Sequence, residues 1–257
     1  MSPNFQRDGY QIFRQVVPSN IIERLRTYLE RSVASLTEAT EATAIGLLPL
    51  KNRREPILWE LAKAESVQNI LKEILDAKSL CLSLAPTARF VPPGDRRPMV
   101  PAHQDSSYVT HLSNFVTVWV PLVEIDEKCG GVSVFKNSPA EVLPTRAVGN
   151  WHEALETNPS LKVDCAPMSP GDILIFNKFM IHQSMPNLSD RTRYSIDYRF
   201  FSSSIPSTRS YLSIDDWMIY DEICHPETKE MFLVEFEFDQ YMNYIAGRPA
   251  EARPVKQ

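Results

Sequence analysis

The spacing of apolar residues changes partway along the chain, and the change marks two kinds of structure. Gly9–Val17 alternates loosely and predicts a short strand. Pro18-Ser19-Asn20 then opens a helix in which Ile21, Leu25, Leu29 and Val33 recur at helical spacing through Ser35, with Ser19 as its N-cap. Thr37 to Arg54 has no clear period and suggests an irregular lid. Ile57 to Asp76 predicts one or two helices that bury Leu58, Leu61, Val67, Ile70, Leu71 and Ile74. From Leu80 onward the runs are short and β-rich: Leu80–Val91, Phe115–Val123, Val132–Phe135, Leu161–Cys165, Ile173–Phe176, Phe179–His182 and Tyr194–Ser202. Pro92-Pro93-Gly94-Asp95 and Ser169-Pro170-Gly171-Asp172 punctuate them as turns. Tyr211 to Tyr244 is aromatic and acidic, with a helix expected around Lys229–Ile245, and Pro249 to Gln257 reads as a loose tail.

Many short strands behind a helical start predict a mainly β fold with helices (α+β), a sandwich or jelly roll backed by the N-terminal helices. A length of 257 residues and 43% hydrophobic content suit one domain with a sizeable core. Its parts would be a helical region to about residue 79, a β core over about 80–203 and an extension over about 204–257.

Composition narrows the partners. The net charge is −5, and no Lys/Arg block or basic amphipathic helix stands out, which argues against nucleic acid or an anionic membrane. No leader-like N-terminus and no membrane-length apolar run are visible, so a cytoplasmic protein is expected. Cys81, Cys129, Cys165 and Cys224 are widely spaced with no CxxC pair, which predicts reduced thiols. With Gly at 8 and Pro at 20, the loops should be stiff, Pro-set turns.

The candidate chemistry lies in His103-Gln104-Asp105 and, after a later apolar strand, His182-Gln183-Ser184. Two imidazoles and a carboxylate are the ligand set of a mononuclear Fe(II) site with open positions. On a strand, His103 and Asp105 would share a face, and His182 would arrive from a neighbouring strand. Eleven residues past His182 stands Arg193, a cation suited to a dicarboxylate such as 2-oxoglutarate.

In this order the fragments resemble the phytanoyl-CoA dioxygenase family of Fe(II)/2-oxoglutarate oxygenases. The resemblance runs from about Phe5 to Phe201. It is carried by Phe5-Gln6-Arg7-Asp8-Gly9-Tyr10, Pro92-Pro93-Gly94, His103-Gln104-Asp105, Trp119-Val120-Pro121-Leu122 and Gly130-Gly131-Val132-Ser133-Val134-Phe135. It continues through Gly171-Asp172-Ile173-Leu174-Ile175-Phe176, His182-Gln183-Ser184, Asn187 and Arg193. The chain departs from the family at Lys136-Asn137-Ser138-Pro139, where a Pro-Gly-Ser-His-like turn is usual; the departure bears on the local loop and the substrate.

The resemblance implies a double-stranded β-helix (a cupin-like jelly roll) with Fe(II), 2-oxoglutarate and O2 as cofactor and co-substrates. His103, Asp105 and His182 would hold iron, and Arg193 with Ser184 would hold the distal carboxylate. Arg191 is the rival for that clamp, and the family spacing favours Arg193. Thr117 and Trp119 would line the co-substrate pocket or simply pack inward. Halogenases of this kind lack the metal carboxylate, so Asp105 implies oxygen insertion: hydroxylation of a small molecule with release of succinate and CO2. Desaturation, cyclisation and epimerisation use the same residues. The competing classes are a non-catalytic binding protein on this fold and a cupin-like enzyme without 2-oxoglutarate.

Further candidates are less specific. Asp197 and Arg199 share the parity of Arg193 and would either meet substrate or form a buried pair. Arg96 and Arg97 would attract an anionic substrate group or form a solvated turn. Tyr108 and His111 would edge the pocket. Trp151-His152 and His225 read as loop or surface. The C-terminal aromatics would cover the cavity or form a homodimer face.

Overall fold

In the computed structural model, which describes residues 3–37, 41–84, 86–143, 162–164, 166–205, 207–224 and 231–255, one long strand organises the chain. The elements begin with α1 (Pro3–Asp8), β1 (Tyr10–Phe13), α2 (Ser19–Ala34), α3 (Glu41–Ala44), α4 (Leu50–Arg53), a 3₁₀ helix (Pro56–Lys63) and α5 (Glu65–Leu75). The strands that follow are β2 (Leu80–Ser83), β3 (Thr87–Val91), β4 (Val116–Pro121), β5 (Val132–Lys136), β6 (Lys162–Asp164), β7 (Ile173–Asn177), β8 (His182–Ser184) and β9 (Arg193–Ser202). The chain then forms β10 (Tyr211–Ser213), β11 (Met218–Cys224), β12 (Met231–Glu237), α6 (Phe238–Ile245) and β13 (Arg253–Pro254).

Strand β9 pairs with β4 along one edge and with β3 and then β2 along the other. Among the described residues the larger sheet has ten strands, ordered β1-β7-β4-β9-β2-β10-β11-β12-β13 with β3 beside β9. A smaller sheet, β6-β5-β8, completes the second layer. All of these pairings are antiparallel, as expected of a jelly roll.

The alternation of β9 explains why one strand can serve both core and site. Ile196, Tyr198 and Phe200 pack with the helical residues Leu25, Leu29, Trp59, Val67 and Leu71 in the main core. Arg193, Ser195, Asp197 and Arg199 point the other way, into a cavity. Strand β4 follows the same rule: Val116, Val118 and Val120 join the main core, while Thr117 and Trp119 face the cavity. The helices therefore seal the outer face of the sheet and leave its inner face for chemistry.

Several sequence expectations need correction. Ser19 is the first helical residue of α2, and the cap position is Pro18, whose carbonyl accepts from the Ile21 and Ile22 N–H groups. The 80–91 run is two strands, broken around Pro86, which has no N–H for a sheet ladder. The 179–182 run is a turn closed by Asn177, whose Oδ1 accepts from Phe179 N (2.9 Å); the strand starts only at His182. Of the helix expected around Lys229–Ile245, the described residues from Met231 form strand β12 first and helix only from Phe238, because Val234 and Phe236 alternate with more exposed Glu235 and Glu237.

Where an irregular lid was expected, the described residues from 41 onward carry two short helices, α3 and α4. Leu48 is fully buried, and Leu48 N and Phe90 N bond to Ala88 O and Gly46 O, fastening residues 46–48 to the edge of β3. Strands β10 and β11 continue the large sheet beyond β2, so the C-terminal extension adds to the same sheet.

Tyr198 is fully buried, and its hydroxyl has no hydrogen-bond partner among the described residues. Tyr198→Phe should leave the packing intact and remove a desolvated hydroxyl, keeping or raising Tm in thermal denaturation. Phe200→Ala, in the same core, should cost about 3–5 kcal/mol in denaturant unfolding.

Candidate metal and co-substrate site

The segment leading to His103 lies along the free edge of β8. His103 N donates to His182 O, His182 N donates to His103 O (both 3.0 Å), and Ser184 N donates to Val100 O (2.9 Å). This pairing sets the two imidazoles side by side, with ring centroids 4.2 Å apart. Asp105 is not on a strand with His103, contrary to the sequence reading. It opens a 3₁₀ turn, Asp105–Ser107, whose Tyr108 and Val109 N–H groups return to Asp105 O. The turn still brings its carboxylate back: Asp105 Oδ1 lies 3.6 Å from His103 Nε2 and 3.9 Å from His182 Nε2.

The hydrogen bonds around this group fit a cation. His103 Nδ1–H donates to Pro101 O (2.8 Å) and His182 Nδ1–H donates to Met180 O (3.0 Å). A carbonyl only accepts, so each Nδ1 carries a proton and each ring turns its Nε2 toward Asp105. The three ligand atoms lie within 4.8 Å of one another, and all three residues are buried. Burial and the adjacent His103 ring push His182 down to about 3, so its imidazole is neutral at physiological pH. Burial by itself would raise the Asp105 carboxyl, but Arg199 and the two imidazoles hold it well below the usual carboxylate range. Two imidazoles and one carboxylate suit Fe(II).

Other residues hold the carboxylate in place. The Thr117 hydroxyl donates to Asp105 Oδ2, and Arg199 Nη2 donates to Asp105 Oδ1 (3.1 Å). Thr117 thus touches a prospective metal ligand as well as lining the cavity. Trp119, only 2% exposed, lines the same cavity and packs against Gly131.

Arg193 is 4% exposed and shares the cavity with His103 and His182. Its Nη1 donates to the carbonyls of Gly130, Gly131 and Met185, and its Nη2 donates to Ser184 Oγ (2.5 Å). Gly130 allows this approach, since a Cβ there would lie 2.6 Å from both Met185 Cβ and Pro186 O. Arg191, the rival cation, lies outside this cavity, where it pairs with Asp126 at 2.6 Å.

The remaining candidates divide. Asp197 and Arg199 do line the cavity, but each takes a different partner: Asp197 accepts from Arg89 Nε (2.9 Å), and Arg199 also donates to Thr87 Oγ1 (3.1 Å). Tyr108 is 63% exposed, with its ring edge-on to His103. Arg96 and Arg97 are not brought to the cavity. They sit exposed just after the Pro93–Gly94 turn, where both Asp95 carboxylate oxygens hold Arg97. His111 bonds Ser83 Oγ through Nε2 (3.0 Å) and is not in the ligand cluster. Trp151, His152 and His225 lie outside the described residues.

Sequence reasoning missed two residues of consequence. Gln104 is fully buried between the metal candidates and ties Phe179 O, Glu141 O and Leu143 N together. Arg89 reaches the cavity from β3; a charged residue between buried Ala88 and Phe90 was the available signal.

A Gly130→Ala substitution should displace the carbonyls that hold Arg193. The expected result is a loss of about 1–3 kcal/mol in unfolding experiments, with weaker 2-oxoglutarate binding by calorimetry.

Comparison with known proteins converges on the same reading. The family model for phytanoyl-CoA dioxygenase (PhyH) matches residues 5–195. The 1-deoxypentalenic acid 11-beta-hydroxylase of Streptomyces exfoliatus is 25% identical over 239 residues, which is 83% of each chain. Among solved structures, the non-heme alpha ketoglutarate dependent carbocyclase SnoK from nogalamycin biosynthesis superposes with a TM-score of 0.65 at 14% identity, over 80% of this chain and 86% of that one. EvdO2 from Micromonospora carbonacea var. aurantiaca, solved with 2-oxoglutarate, gives 0.61 at 20% identity, over 79% and 90%. These likenesses in structure establish the jelly-roll fold. With the family match spanning most of its length, the chain belongs to the phytanoyl-CoA dioxygenase family, and its activity class is that of an Fe(II)/2-oxoglutarate-dependent oxygenase.

Proposed function

We propose that His103, Asp105 and His182 hold Fe(II), that Arg193 and Ser184 hold the distal carboxylate of 2-oxoglutarate, and that the protein hydroxylates a C–H bond of a small-molecule metabolite. The observation that carries this reading is the pair of Nδ1–H bonds to backbone carbonyls, which turns both Nε2 atoms toward one buried carboxylate oxygen, so that the three converge within 4.8 Å. Iron bound there supplies O2 activation coupled to decarboxylation of 2-oxoglutarate to succinate and CO2.

The chain's own residues do the rest. Asp105 would offset one of the cation's two positive charges, and Thr117 fixes the orientation of that carboxylate. Arg199 draws on the same Oδ1, so it limits how strongly Asp105 donates to the metal. Arg193 offers a planar, permanently charged group in a water-poor cavity, which suits bidentate binding of a carboxylate. Ser184 accepts from Arg193 and donates to Met185 O over a long 3.5 Å, a bond that a carboxylate placed beside the pair would replace. Trp119, Val100 and Val132 make the apolar part of the cavity wall and exclude water.

A small molecule is the expected partner, and the net charge of −5 speaks against nucleic acid. Among the described residues no helix is long and apolar enough to cross a membrane. The exposed Met231, Leu233 and Tyr244 support a homodimer through the C-terminal segment, while Phe236 and Tyr241 pack within the chain. A cytoplasmic location fits the buried free thiols of Cys81 and Cys129.

Arg193→Ala should abolish 2-oxoglutarate turnover, measured as succinate, while metal analysis still finds iron. Full turnover in that variant would remove 2-oxoglutarate from the assignment. Asp105→Ala should lower iron affinity by about tenfold or more, and unchanged iron content would exclude Asp105 as a ligand.

A further inference from the structure

Beside the residues assigned to iron and 2-oxoglutarate, the cavity contains a cation with no role so far. Arg89 is in β3, opposite Ser195 of β9, and faces inward with Thr87. Its Nε donates to Asp197 Oδ2 (2.9 Å). Its Nη1 is buried and has no hydrogen-bond partner among the described residues. Leaving a buried guanidinium nitrogen unpaired is costly, and a group kept in that state calls for an explanation. Arg199 does not share this condition at its outer nitrogens, because Thr87 and Asp105 engage both.

The charges of the cavity point the same way. Three guanidiniums (Arg89, Arg193 and Arg199) face two carboxylates, Asp105 and Asp197. Fe(II) and the 2-oxoglutarate dianion cancel each other, so binding both leaves one positive charge in excess. A buried charge needs a counter-ion.

We propose that Arg89 is the anchor for a carboxylate carried by the oxidised substrate, and that Asp197 positions Arg89 by holding its Nε. This deepens the oxygenase assignment above and rests on it. A planar, two-oxygen monoanion matches both the single charge in excess and the guanidinium nitrogens that Asp197 leaves available. A phosphate dianion would exceed that charge. The rest of the wall, Val100, Trp119 and Val132, suits an apolar frame. The substrate class is therefore a monocarboxylic acid on a hydrocarbon skeleton.

The test uses the wild-type protein loaded anaerobically with Fe(II) and 2-oxoglutarate. Cyclohexanecarboxylate and its methyl ester are titrated by calorimetry. The acid should bind at least about tenfold more tightly than the ester. Arg89→Gln should erase that preference, and Arg89→Lys should keep part of it. Equal binding of acid and ester, no binding of the acid at millimolar concentration, or a preference that survives in Arg89→Gln would overturn the proposal. The wild-type comparison stands even where a variant fails to fold. The loading step keeps the two assignments apart. Absent iron or 2-oxoglutarate uptake counts against the oxygenase site, whereas lost acid preference after normal uptake counts against Arg89 alone.

Discussion

Two backbone hydrogen bonds, from His103 N to His182 O and from His182 N to His103 O, are the joint on which the site depends. They connect residues far apart in sequence and put both imidazoles on one edge of the smaller sheet. Backbone pairing fixes position along the strand, and the bonds from Nδ1 to Pro101 O and Met180 O fix ring orientation and tautomer. With both settled, the single short turn after Gln104 is enough to bring Asp105 into the group. No long side chain has to be ordered to make it, so the entropy of forming the ligand set is met largely by folding itself. Such pre-organisation favours a defined metal geometry over an adaptable one.

The second constraint is the two-residue period of the large sheet. A strand buried on both faces normally reads as continuous apolar sequence. Here helices cover one face with Ile196, Tyr198 and Phe200, and the other face carries Arg193, Ser195, Asp197 and Arg199. A slip of one residue in β9 would put these charges into the main core and the aromatics into the cavity. Stability and chemistry therefore select the same register. The charges inside are not scattered: Asp105 contacts Arg199, and Asp197 contacts Arg89. Burying such pairs adds little net stability, which fits a role in shaping the field around the cavity.

Much of this was legible in the sequence, for identifiable reasons. Residue type and order exposed the His-x-Asp and distal His pair, and the parity rule placed Asp197 and Arg199 beside Arg193. The short strands between turn residues gave the architecture. What escaped depends on contacts between distant segments. The break around Pro86 hid the parity of Arg89, because an unbroken 80–91 strand gives no reliable face beyond the break. Asp105 meets His103 through a turn and not through strand alternation. Strand β12 was read as helix because its aromatics sit equally well on a helical face, and only pairing with β11 decides. Arg96 and Arg97 were attractive as charges near the motif, but Asp95 holds Arg97 on the surface.

One buried triad and one buried arginine together are proposed to hold iron and a keto acid. The most direct test of that assignment is anaerobic titration of the metal-free protein with Fe(II) and 2-oxoglutarate, followed by visible absorption. A weak charge-transfer band should develop only when both have been added. Iron uptake with no band on adding 2-oxoglutarate would contradict it.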